Sequence, residues 1–251
     1  MPAILYKSKL YKSKKLSDVV DIMGSNLNHL GIIMDGNRRF AKRLMEMPWK
    51  GHEFGAKKIE TVLDWCREKD IKTVTLYILS LENIATRPKK ELDFLMEIFR
   101  KELKNKKFCE KIHKNKTRIR FLGRKELLPK DIQECMNQLI EETKDHKDYE
   151  LNFAIAYSGR QEILDAIKKI SRKDLKALDE KKFEKYLYTS GIKNPDLVIR
   201  TSGEKRISGF LLWQAAYSEY YFMDKLWPEI TKDDFFVALD DFASRQRRFG
   251  S

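Results

Sequence analysis

Short apolar runs and longer amphipathic stretches alternate along this chain. Leu30–Met34 is long enough for one buried strand, and Thr73–Leu79 (TVTLYIL) is a β-branched and aromatic run suited to a buried parallel strand. Arg118–Leu122 (RIRFL), Leu151–Ala156 (LNFAIA) and Leu197–Ile199 repeat the pattern. Between these runs the apolar period becomes that of a helix. Ile59, Val62, Leu63 and Cys66 share one face of a stretch from about Glu53 to Lys69. From Lys89 to Phe108 one continuous helix is predicted, striped by Leu92, Leu95, Met96, Phe99 and Leu103 and widened by Phe94 and Ile98. Further helices follow around Ile132–Ile140 and Ile163–Ile170, and the lysine-rich residues 168–185 read as solvated helical surface. This alternation predicts a single α/β domain with a central, mainly parallel sheet of about six strands flanked by helices. The body spans residues 29–251, preceded by a basic extension over residues 1–28.

Composition narrows the class. Hydrophobic residues make up 42% of the chain, enough for one large core. No run reaches the ~18 apolar residues of a membrane span, and the first residues lack the apolar segment and cleavage site of a signal peptide. Cys66, Cys109 and Cys135 lie far apart, which points to free thiols in a reducing cytoplasm. The four histidines form no zinc constellation. A formal charge of +13 suits an anionic partner: nucleic acid, an acidic membrane face or phosphorylated small molecules. No helix-turn-helix, zinc or RNA-recognition motif is present, so nucleic acid is not the expected partner. Residues 1–28 interleave lysines with Ile4, Leu5, Tyr6, Leu10, Tyr11 and Leu16. They read first as a helix docked on the domain, and second as a segment resting peripherally on anionic lipid.

Candidate chemistry gathers where the predicted strands end. The first run stops at Asp35-Gly36, and Asn37-Arg38-Arg39-Phe40 opens a helix. A helix start favours an anion, and the arginines add charge-assisted donors for phosphate. Asp35 has the wrong charge to bind phosphate directly, so a divalent cation, hydrated magnesium above all, would stand between them. The alternative is a solvated basic turn. The second run ends in Ser80-Leu81-Glu82-Asn83, with Arg87 and Pro88 beyond. Ligands of open α/β sheets bind at that edge. Arg200 ends the run Leu197–Ile199; with Arg206, Ile207 and Ser208 it spans a glycine turn able to encircle a diphosphate. His52 opens the second helix, where its imidazole could meet phosphate or water. Glu219 sits in a very apolar stretch, where a carboxylate needs a partner or a metal.

HLGIIMDGNRRFAKR (29–43) closely resembles the first signature of the cis-prenyltransferases, the undecaprenyl and dehydrodolichyl diphosphate synthase family. Gly51-His52 followed by Phe54-Gly-Ala, SLENIATRP (80–88), Tyr157-Ser-Gly-Arg160 and RTSGEKRIS (200–208) resemble its later motifs in order. Ile84 replaces a tryptophan, one residue is added before Arg87, and Ala156, Ser158 and Ser202 replace Asn, Gly and Gly. Archaeal members resemble this variant. An arginine frequent four residues before His52 is replaced by Pro48, with Arg43 and Lys50 as nearby stand-ins.

The resemblance implies sequential, magnesium-dependent condensation of isopentenyl diphosphate onto an allylic diphosphate, farnesyl or geranylgeranyl, with the growing chain in a hydrophobic tunnel walled by the Lys89–Phe108 helix. It implies that Asp35 and Glu219 hold magnesium across the interface of a homodimer. Asn83 lies near the proton lost from isopentenyl diphosphate, Arg200, Arg206 and Ser208 bind that substrate, and the terminal Arg248 and Gly250 reach the partner subunit's site. A noncatalytic partner subunit of the same fold is the rival, against which the retained Asp35, Asn83, Arg87, Arg200, Arg206 and Glu219 speak.

Overall fold

The computed structural model describes residues 27–245. Six strands form one sheet in the order β3-β4-β2-β1-β5-β6, and every neighbouring pair is parallel. In chain order the strands are β1 (His29–Ile33), β2 (Thr73–Ser80), β3 (Thr117–Leu122), β4 (Tyr149–Tyr157), β5 (Leu197–Arg200) and β6 (Glu219–Phe222). The longer helices are α1 (Asn37–Arg43), α2 (Gly51–Glu68), α4 (Lys89–Leu103), α5 (Lys106–Lys114), α6 (Lys130–Thr143), α7 (Gly159–Lys169) and α10 (Lys232–Ser244). Short helices α3 (Leu81–Thr86), α8 (Arg172–Leu175) and α9 (Glu180–Glu184) complete the set. This is the expected single α/β domain. The main core lies between the sheet and α2, α4, α6 and α10, around Leu30, Ile32, Leu76, Ile119, Ile132, Met136 and Phe235.

Three stretches differ from the expectation. The helix predicted over Lys89–Phe108 is two helices, because the side chain of Asn105 accepts from the backbone N–H of Lys107 and Phe108 and starts α5 afresh. The sixth strand is Glu219–Phe222, at the end of an apolar stretch whose composition carries no break to mark it. Residues 168–185 are mostly exposed and partly helical, as the end of α7 followed by two short helices, with Phe183 buried among them.

The strand order positions the site. The chain leaves β1 toward β2 on one side, whereas β5 joins β1 on the other. The carboxyl edge around β1 is therefore the switch point at which ligands of open α/β sheets bind. The connection from β1 to α1 turns through Gly36 at φ 108°, and a Cβ there would come within 2.9 Å of Leu226. Only glycine accepts that backbone and that contact cheaply. Next to it, a Cβ on Gly51 would fall 1.9 Å from the Asn37 carbonyl oxygen, so α1 and α2 cross almost backbone to backbone. Among the described residues no helix is long and apolar enough to cross a membrane.

Candidate active site

At the ends of β1, β2 and β5 a polar cleft of about 1460 Å³, counting its open mouth, is lined by Asp35, Gly36, Asn37, Arg38, Arg39, His52, Ser80, Asn83, Arg87, Arg200, Arg206 and Ser208. Residues up to 173 positions apart in sequence thus meet on one edge of the sheet. Beside it runs an apolar chamber of about 840 Å³, counting space open to solvent, walled by α2, α4 and the sheet, with Ile59, Leu95, Phe99 and Phe153 among its linings. Met34, Asn37, His52 and Ile78 border both spaces. A charged cleft and an apolar chamber therefore share a collar of four residues.

Asp35 and Arg200 are the centre of the mouth. Arg200, almost wholly buried, donates from Nη2 to Asp35 Oδ2 at 2.7 Å, and from Nη1 to Ser208 Oγ at 2.9 Å and to the Arg206 carbonyl. The Gly36 N–H donates to Asp35 Oδ1 at 2.7 Å, and Thr201 Oγ1 clamps the Asp35 backbone by donating to its carbonyl at 2.7 Å and accepting from its N–H at 2.9 Å. Burial alone would raise the Asp35 carboxyl, but the Arg200 hydrogen bond and charge outweigh it and hold the group below the usual carboxylate range. Asp35 is therefore ionised, and its side chain remains one-third exposed to the cleft.

On the other lip, Ser80 caps α3 by accepting from the Asn83 N–H at 3.0 Å, and Arg87 Nη2 donates to Asn83 Oδ1 at 3.1 Å. Behind them lies a group the motifs did not single out. Glu91, 1% exposed, places Oε1 at 3.3 Å from His52 Nε2, 3.6 Å from Arg87 Nη1 and 3.8 Å from Arg38 Nε. Its spacing four residues after Arg87 was the available signal. Burial lowers the His52 pKa below the ordinary imidazole value, so the ring is neutral near pH 7 and donates from Nε2 to Glu91. Tyr77 and Lys42, also unforeseen, line the cleft; the Tyr77 ring stacks on Phe210 at 4.9 Å and its hydroxyl donates to the Ser208 carbonyl at 3.3 Å.

Not every expected site residue reaches the cleft. Phe40 packs edge-on against Phe54 at 5.2 Å, Glu82 accepts from Ser158 Oγ at 2.9 Å, Ile207 packs against the cluster around Tyr157 and Phe210, and Leu81 packs on the main core. Arg43 is paired with Glu229 and Lys50 with Glu46, and neither lines the cleft.

The family model of the undecaprenyl diphosphate synthases matches residues 33–250. The chain belongs to this prenyltransferase family. A geranylgeranyl-diphosphate-specific tritrans,polycis-undecaprenyl-diphosphate synthase of Methanopyrus kandleri is 47% identical over 228 residues, covering 88% of this chain and 84% of its own. The enzyme of the same name from Thermococcus kodakarensis is 43% identical, with 100% and 97% covered. Lavandulyl diphosphate synthase from Lavandula x intermedia, solved with dimethylallyl diphosphate, superposes with a TM-score of 0.85 at 33% identity, covering 90% of this chain and 99% of its own. The substrates of this prenyltransferase are isoprenoid diphosphates, molecules with one charged and one oily end.

Within one prenyltransferase chain Glu219 does not meet Asp35. It starts β6 in register with Leu197, at the opposite edge of the sheet, and accepts from Arg245 at 2.8 Å. Arg248, Gly250 and residues 1–26 lie outside the described residues.

Proposed function

We propose that this chain adds isopentenyl diphosphate units in succession to an allylic diphosphate, forming cis double bonds and a long polyprenyl diphosphate. Its main support is the junction of the cationic cleft with the apolar chamber. Arg38, Arg39, Arg87 and the first N–H groups of α1 would receive the departing diphosphate, and Arg200, Arg206 and Ser208 the diphosphate of the isopentenyl unit. The allylic C–O bond breaks with its electron pair leaving on diphosphate; the isopentenyl double bond supplies the pair for the new C–C bond. A proton is then lost beside Asn83, to a diphosphate oxygen or water, since a neutral amide is a poor base. Cations aimed at the departing diphosphate favour that step, because charge develops there.

A hydrated magnesium ion fits the residues present. Among the described residues no cluster of three ligand-type side chains exists. Magnesium on phosphates keeps several waters and needs only one or two carboxylates, and Asp35 offers an ionised, part-exposed one. When bound, it would neutralise charge on the departing diphosphate. Glu219 could contribute only from a second subunit, which favours a homodimer. Leu164 and Ile167, exposed on the same side of α7, and the exposed Tyr217 offer an apolar surface for one.

Geranylgeranyl diphosphate is the favoured starter, since both archaeal relatives are named for it. Purified chain given labelled isopentenyl diphosphate, magnesium and either starter should yield long dephosphorylated products on thin-layer plates, more from geranylgeranyl diphosphate. Absence of label in any prenyl product would refute the reaction.

A further inference from the structure

The turn between α1 and α2 carries a surface feature with no part in the chemistry above. Of the ten large apolar side chains exposed among the described residues, four fall within residues 44–54: Leu44 (48%), Met45 (97%), Met47 (51%) and Phe54. This is a built turn, because the N–H groups of Leu44, Met45 and Glu46 close back on carbonyls of Phe40, Ala41 and Lys42. Met45 is held at φ 56°, with its side chain almost fully in solvent. Holding three thioether and aliphatic side chains outward on a fixed turn is unfavourable in water unless something apolar covers them.

The surroundings say what covers them. Residues 38–58 contain seven Lys and Arg against two Glu; Arg38, Arg39, Arg43 and Lys50 lie within ion-pair distance of Glu91, Glu204, Glu229 and Glu46, and Lys42 stands outside those pairs in a span that keeps a net positive charge. Lys42, two positions before Leu44, lines the mouth of the cleft. An apolar wedge in a basic rim matches an anionic bilayer, where methylene groups and negative headgroups lie within a few ångströms of each other. A protein partner would need an acidic rim about an apolar socket, and nothing in the structure favours that over a bilayer. Resting on the reaction proposed above, a bilayer at this tip would stand next to the mouth of the cleft, within reach of an oily product.

We infer that the Leu44–Met47 turn is a membrane-docking wedge that seats the mouth of the cleft on anionic lipid. The test uses the full chain and a Leu44→Ser, Met45→Asn, Met47→Ser variant, sedimented with phosphatidylcholine vesicles with and without phosphatidylglycerol. Asparagine tolerates the left-handed backbone at position 45. The wild-type chain should bind the anionic vesicles, more weakly at high salt, and the variant should bind about tenfold or more weakly. Thermal unfolding and turnover in detergent should be unchanged, since none of the three side chains lines the cleft. Equal binding by both proteins would place the contact elsewhere, and a wild-type chain that binds no vesicles would overturn the wedge outright. Turnover in detergent keeps the two ideas separate: vesicle binding without turnover defeats the reaction, and turnover without vesicle binding defeats only the wedge.

Discussion

Arg200 reaches across 165 positions of sequence to donate to Asp35 at 2.7 Å, joining the ends of two adjacent parallel strands. The guanidinium holds the carboxyl ionised, and the carboxylate faces a nearly buried cation. The pair is also the seam between the two proposed diphosphate positions.

Asp35→Ala should lower turnover by about a thousandfold, the scale of losing a principal electrostatic group at a site of charge development. Because the variant also leaves the nearly buried Arg200 guanidinium without its counter-charge, a stability loss of about 3 kcal/mol is expected alongside. Steady-state kinetics and urea unfolding measure the two separately. Near-normal turnover in this variant would remove Asp35 from the mechanism.

Glu91 should act as a positioning residue. Glu91→Gln keeps the shape but withdraws the charge shared by His52, Arg87 and Arg38. A fall of about 10- to 100-fold in kcat/KM is expected, chiefly through KM for the allylic diphosphate. A merely structural role would instead lower thermal stability and leave both KM values alone.

His29 makes the fold acid-sensitive. Its Nδ1–H donates to the Lys193 carbonyl at 2.6 Å and Nε2 accepts from Thr75 Oγ1 at 2.7 Å, so the buried ring is neutral. Burial drives its pKa down to about 4, against an ordinary value of 6.5. The unfolded chain takes up this proton first, so stability is full above pH 6.5 and falls toward pH 4. Between pH 7 and pH 5 the contribution lost is about 2 kcal/mol. His29→Asn, which can still donate to that carbonyl, should flatten the dependence when urea midpoints are compared across this range. An unchanged slope would show that other groups set it.

Ser202 stands at φ 85°, where the family motif has glycine. A side chain in that backbone region is strained by about 1–2 kcal/mol, partly offset by the freer unfolded chain that glycine brings. Ser202→Gly should therefore raise stability by about 0.5–1 kcal/mol with turnover retained. Differential scanning calorimetry would register the rise, and a drop would mean that the hydroxyl matters more than the backbone.

Much of this was legible in the sequence because composition and geometry agree locally. The five strands from Leu30, Thr73, Arg118, Leu151 and Leu197 are apolar runs bounded by polar residues, and each is a strand of the sheet. The break at Asn105 was hidden because the apolar stripe continues past it, and only a cap hydrogen bond separates the helices. β6 was hidden inside an apolar stretch with no punctuation. At the site, Asp35, Asn83, Arg87 and Arg200 announced themselves by sitting where strands end or motifs match. Glu91 did not, since on a helix it looks like any surface carboxylate until His52 and Arg87 fold over it. Nor could spacing show that β5 lies beside β1, the adjacency that brings Arg200 to Asp35.

The collar of Met34, Asn37, His52 and Ile78 has one more consequence. A molecule anchored by its phosphates on the cleft side can send only its tail past that ring. Any chain lengthened there would grow as hair does, from the root, with the oldest carbons pushed deepest and the newest always beside the head.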